Sequence, residues 1–197
     1  MSHLGLSMPT QPPQVRAAHL KALAAALRAL GGPAAGRVRA RTAEVLERIA
    51  AAGRLDWMPA TDLVELCVAA EAEVGAVALE DWGGAAFDAT VRAPLARAFY
   101  EAALALERWN PALVLSYLVQ AWPLLYRNCG EVVLASTEPG CVRLVHVPVP
   151  PLLRRAATVL PLIGALGSIP AHCRRQGGAT AEWDEGSDRF VYIVRWS

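Results

Sequence analysis

Apolar positions recur with a helical period through roughly the first 127 residues and alternate after Gly130, so one change of period divides the chain. Over 15–30, Leu20, Leu23, Leu27 and Leu30 share one helical face, and Gly31-Gly32-Pro33 ends the run. A second amphipathic helix is expected over 37–52, with Val38, Val45, Leu46 and Ile49 inward and Gly53 as its stop. A third starts after Pro59, where Asp62 and Glu65 have capping-box spacing and Leu63, Leu66, Cys67, Ala70, Val74 and Val77 form the stripe. Trp82-Gly83-Gly84 then punctuates the chain, and a fourth helix is expected over 85–106 with Pro94 interrupting it. Asn110-Pro111 is a start signal for a fifth helix carrying Leu113, Tyr117, Leu118 and Ala121, which Trp122-Pro123 bends or ends.

Beyond Gly130, the β-branched segments 131–137 and 141–147 flank Glu138-Pro139-Gly140, which suits a type II turn and predicts a hairpin. With Glu138 opposite Cys141, the register pairs Leu134 with Val145, Ala135 with Leu144 and Val133 with His146. A crossover helix is expected over 152–166, then strands over 171–183 and 189–196. The predicted fold class is α+β, about five N-terminal helices packed on a C-terminal antiparallel ββαββ unit, because helices and strands are segregated along the chain. The expected organisation is a flexible arm over 1–14 and a single domain over 15–197, helical over 15–127 and ββαββ over 128–197.

Composition narrows the class. The chain has 197 residues, 54% hydrophobic and 19% charged, enough for a sizeable core and too apolar for disorder. Its apolar runs are broken by Lys21, Arg28, Arg97, Glu101 and Glu107, so no transmembrane segment is expected. The formal net charge is +1, which supplies no basic field and excludes nucleic acid as the expected partner. Cys67, Cys129, Cys141 and Cys173 lack any C-x-x-C spacing and read as free thiols; with no secretory signal in 1–14, a cytoplasmic location is expected.

Candidate chemistry is sparse. His172 and Cys173, read as strand neighbours, point to opposite faces and form no nucleophile pair. No metal site is expected from scattered Cys and His. His146 reads as a half-buried histidine bonded to a neighbour. Glu80, Asp81 and Asp88 read as a solvated loop, with general acid/base use as the alternative. Catalysis therefore finds no signature, and the chain is expected not to be an enzyme.

Aromatic residues are the informative set. Trp82, Phe87, Phe99, Tyr117, Trp122 and Tyr126 crowd into the helices before the sheet, and His146 lies on the hairpin. Core packing where helices meet sheet explains them; the alternative is a ligand pocket in that seam lined by these seven residues, expected to measure at least about 300 Å³.

The segment SYLVQAWPLLYRNCGEVVLASTEPGCVRLVHV at 116–147 and the closing FVYIVRW resemble a paralogous family of about this length, abundant in myxobacteria. Its C-terminal half is similar to the 4-vinyl reductase, or hydrocarbon-binding, domain, in a superfamily with haem-nitric-oxide-binding domains and small subunits of the TRAPP tethering complex. The shared pattern is a Leu/Pro/Trp-rich helix end, an Arg-x-x-Gly bend at Arg127 and Gly130, a Pro-Gly hairpin, a helix and a last strand ending in Arg-Trp. The resemblance implies a ligand-binding or scaffold domain. Haem-binding relatives carry an axial histidine and a Tyr-x-Ser-x-Arg signature, which Ser116-Tyr117 and Tyr126-Arg127 do not reproduce, so no cofactor is expected and haem is disfavoured. TRAPP subunits use a buried cysteine for an acyl chain; Cys67 is not aligned to that position and takes no role from it. The expected function is a non-enzymatic sensor or adaptor binding a small apolar ligand or lipid between helices and sheet. The alternative is a protein-interaction module or homodimer.

Overall fold

The computed structural model describes residues 11–92, 110–183 and 187–197. The chain enters through β1 (Gln14–Arg16), continues as α1 (Ala17–Ala26), a 3-10 turn (Leu27–Leu30), α2 (Gly32–Arg41) and α3 (Ala43–Ala51), and passes through β2 (Trp57–Pro59) into α4 (Ala60–Val91). After the undescribed residues come α5 (Pro111–Leu125) and β3 (Tyr126–Arg127), then β4 (Glu131–Glu138), β5 (Cys141–Val147), α6 (Ala156–His172), β6 (Gly177–Trp183) and β7 (Phe190–Trp196). The α+β class is as expected, and the four long strands form one antiparallel sheet in the order β4-β5-β7-β6.

Several boundaries differ from the sequence expectation. Residues 14–16 are strand, not helix, and pair with β2 on one side and β3 on the other in a small sheet. Each of these strands has two or three residues, too short to show a period. Arg16 and Arg127 stack on Trp57 at 3.8 and 4.3 Å from its ring centre, tying the three strands together. The expected second helix is two, α2 and α3, broken at Thr42, whose hydroxyl donates to the Val38 carbonyl at 2.8 Å. Asp62 does not cap α4; it is 3% exposed and accepts from Arg48 Nη2 at 2.7 Å, a pairing that raises the Arg48 pKa.

Trp82-Gly83-Gly84 lies inside α4 and does not end it; the break comes at Gly75, whose φ of 73° no L side chain adopts cheaply. The redirected helix leaves Val77, assigned to the buried stripe, 80% exposed. Gly83 instead admits α6. A Cβ there would lie 1.9 Å from the Pro161 carbonyl oxygen, and one at Gly164 would lie 1.8 Å from that of Glu80.

The hairpin forms around Pro139-Gly140 with Glu138 opposite Cys141, but a bulge at Ala135 shifts the far register by one. Leu134 therefore pairs with Leu144, Val133 with Val145 and Val132 with His146. Residues 171–176, expected as strand, are the end of α6 and a turn. The core runs continuously from α1 through α4 and α6 to β5 and β7.

Candidate functional site

Between α1, both halves of α4, α5, α6 and the inner face of β5 and β7 lies a cavity of about 160 Å³. Its wall is mostly apolar, with Leu23, Leu63, Ala86, Phe87, Leu118, Trp122, Pro161, Leu162 and Phe190 among the lining residues. This is smaller than the roughly 300 Å³ expected of a ligand seam. Phe87, Trp122, Tyr126 and His146 of the candidate set lie in the wall. Trp82 does not: it is fully buried behind it, and its indole N–H donates to the Leu23 carbonyl at 2.9 Å. Tyr117 is 40% exposed on the outside of α5, and Phe99 lies outside the described residues. The wall also includes His19, Cys67 and Tyr192, which sequence reasoning missed. His19 adjoins the Leu20 and Leu23 stripe of α1, so its place in the cavity depends on how α1 meets α5.

The polar groups of the wall are nearly all occupied within the chain. Tyr126 Oη and His19 Nε2 are 2.9 Å apart, Thr90 Oγ1 donates to the Ala86 carbonyl at 2.9 Å, and Thr158 Oγ1 donates to that of Leu153 at 2.7 Å. His146 differs. It is 3% exposed, more deeply buried than expected, and its Nε2 lies 2.7 Å from the Cys129 carbonyl oxygen. A carbonyl only accepts, so Nε2 carries the proton and Nδ1 bears a lone pair. Among the described residues Nδ1 is buried without a hydrogen-bond partner.

Rings enclose this imidazole. Trp122 stands edge-on at 5.0 Å, Phe190 edge-on at 6.1 Å, and Tyr192 stacks at 6.4 Å. Trp122 also stacks on Tyr126 at 4.0 Å and donates its N–H to the Gly130 carbonyl at 2.9 Å. Burial in this environment disfavours charge: it pulls His19 down to about 4, lowers His146, and raises Tyr126, Tyr192 and the Cys67 thiol.

Two expectations about polar residues are corrected. His172 lies on α6, not on a strand, and its Nε2 meets Asp88 Oδ1 at 2.6 Å. Glu80, Asp81 and Asp88 lie on α4, not in a loop, and line a second groove of about 500 Å³ against α6 and β6. Among the described residues, no three His, Cys, Asp or Glu gather to hold a metal ion, and no helix is long and apolar enough to cross a membrane.

Helices on one face of an antiparallel sheet, with an apolar cavity between the layers, make this a two-layer α+β fold. More particularly, it is the fold of H-NOX domains. An unliganded Fe(II) H-NOX protein from K. algicida superposes with a TM-score of 0.61 at 10% identity, covering 92% of this chain and 96% of that one. The oxygen complex of an oxygen-binding H-NOX domain related to soluble guanylate cyclases gives 0.61 at 9%, covering 92% and 95%. A structure from work on haem distortion in the H-NOX family gives 0.60 at 9%, with the same coverage. No protein-family model matches the sequence, and no curated protein does. The likeness is one of fold, to haem-nitric-oxide-binding domains, and gives no support to the narrower myxobacterial family. It also corrects the expectation that disfavoured haem: a missing signature at Ser116-Tyr117 and Tyr126-Arg127 was its ground, while the fold is one whose solved examples include iron and haem proteins.

Proposed function

We propose that this chain is a non-catalytic, cytoplasmic sensor domain that holds a small ligand in the cavity between its helices and its sheet. The observation that carries the reading is the aromatic cavity with one unsatisfied imidazole nitrogen, set in a fold whose solved examples bind small ligands. A ligand wedged between α4, α5, α6 and the sheet would bias the packing of one layer on the other, which is how occupancy becomes a signal.

Haem is the first ligand to test, because the fold neighbours include haem proteins. The donor chemistry fits it: His146 has, among apolar rings, a buried ring nitrogen with a lone pair and no hydrogen-bond partner among the described residues, which would have to be uncovered to hold the iron. When bound, haem would supply an iron able to take a diatomic gas. A macrocycle exceeds a cavity of about 160 Å³, so its entry would require α4 and α5 to part from the sheet. The test is the visible spectrum of gently purified protein, a titration with haem, and mass spectrometry of whatever the denatured protein releases. A Soret band or a stoichiometric organic ligand is expected. Protein that carries nothing, takes up no haem and binds no apolar ligand overturns the sensor reading.

A second reading, self-association, rests on the two edge strands. Val133 and Leu134 on β4 and Trp183 on β6 are 44%, 39% and 36% exposed, and among the described residues each strand pairs on one side only. Light scattering over a concentration series should show a dimer if those edges pair with a second copy, and a monomer throughout excludes it.

A further inference from the structure

Away from the central cavity, the described chain starts beside a groove. Before Gln14 enters β1, the Pro12 carbonyl accepts from Asn128 Nδ2 at 3.4 Å and the Pro13 carbonyl accepts from the Ala60 N–H at 2.9 Å. Asn128 itself lines a groove of about 430 Å³ between α5 and β4, whose apolar wall is Val119, Trp122 and Pro123 of α5 with Val132 and Val133 of β4. Strand β4 lies at the end of its sheet: among the described residues it pairs with β5 alone. An apolar groove beside such an edge suits an added extended segment, which gives its backbone to the edge and every second side chain to the groove.

The ten residues before Gln11, MSHLGLSMPT, have the matching pattern. Leu4, Leu6 and Met8 alternate, the spacing that shares one face of a strand. These ten contain no Asp, Glu, Lys or Arg, so placing them in the groove takes none of those charges out of water. Pro9 falls after Met8, on the side of the anchor, and leaves 4–8 free of proline. Reach is sufficient: residues 4–10 span about 23 Å as a strand, against about 13 Å for 131–134, beyond which the bulge at Ala135 breaks regular pairing. The anchor beside Asn128 lies just before β4, so a segment leading to it along β4 runs antiparallel. We propose that residues 4–8 dock on this chain's own β4 as an added antiparallel strand, with Leu4, Leu6 and Met8 filling the groove between α5 and β4. The β4 edge is then occupied from within the chain and closed to a second copy.

The experiment uses the full chain with isotope-labelled methyl groups and reads nuclear Overhauser contacts and amide hydrogen exchange; mixing labelled with unlabelled protein separates contacts within a chain from contacts between chains. Contacts from the Leu6 and Met8 methyls to those of Val119 and Val133 are expected within one chain. Leu6→Asp should abolish them and speed exchange of the 131–134 amides that do not bond β5 by at least about tenfold. If that variant does not fold, the wild-type contacts still decide. Contacts seen only between chains assign the groove to a second copy and overturn the proposal. No contact from residues 4–8 to α5 or β4, or exchange unchanged in Leu6→Asp, overturns it as well.

Discussion

At the scale of single residues, the two buried tryptophans near the cavity separate structure from binding. Both are anchored by an indole N–H on a backbone carbonyl, Trp82 to Leu23 and Trp122 to Gly130. Only Trp122 lines the cavity. Trp82→Phe removes a buried hydrogen bond and leaves a void the size of the missing ring, and should cost about 2–3 kcal/mol of stability in urea unfolding. Because Trp82 lies behind the wall, ligand affinity in the surviving folded fraction should be unchanged; a matching loss of affinity would place the ligand deeper than the cavity described. Nothing in the sequence says which of the two lines a cavity. A helical position was legible for Trp122 alone, since Trp82 read as part of a break between helices, and distance from a cavity depends on how helices and sheet meet.

At the scale of elements, the packing of α4 on α6 depends on two glycines at close approach. A methyl group at Gly83 or Gly164 would overlap a backbone carbonyl on the facing helix, and backbone cannot swing aside as a side chain can. Gly83→Ala or Gly164→Ala should therefore cost about 3 kcal/mol or more, or prevent folding. Gly84→Ala is the control: its nearest neighbour would be the Gly164 oxygen at 3.4 Å, an ordinary contact. Alanine's higher helix propensity should then leave that variant neutral or up to about 1 kcal/mol more stable in thermal melts. Equal losses at positions 83 and 84 would contradict the crossing. Trp82-Gly83-Gly84 is also where sequence reasoning misplaced a boundary, since glycine serves equally as a breaker or as a seat for another helix, and only the partner decides. The hairpin shows the same division. Its turn was legible in Pro139-Gly140, but the bulge at Ala135, which alternation cannot signal, moved His146 opposite Val132. The pairing of Asp88 with His172 spans 84 positions and had no local sign.

At the scale of the whole molecule, the seam between helices and sheet should set the acid limit of stability. His19 on α1 and His146 on β5 both have ring nitrogens held neutral by burial, with His19 pulled down to about 4 and His146 lowered. In the unfolded chain both titrate near the ordinary value of about 6.5. Between these values the unfolded state binds more protons, so stability rises with pH there and falls as the solution is acidified. The contribution is fully present above about 6.5, declines through the window down to about 4, and changes no further below the folded pKa. For His19 the shift to about 4 would correspond to roughly 3 kcal/mol in a dry site. The residue is only half-buried, so water at its edge limits the loss to the order of 2 kcal/mol. Urea midpoints measured at pH 7.5, 6.5, 5.5 and 4.5 should fall steadily below 6.5, and His19→Gln should flatten the part of that slope due to His19.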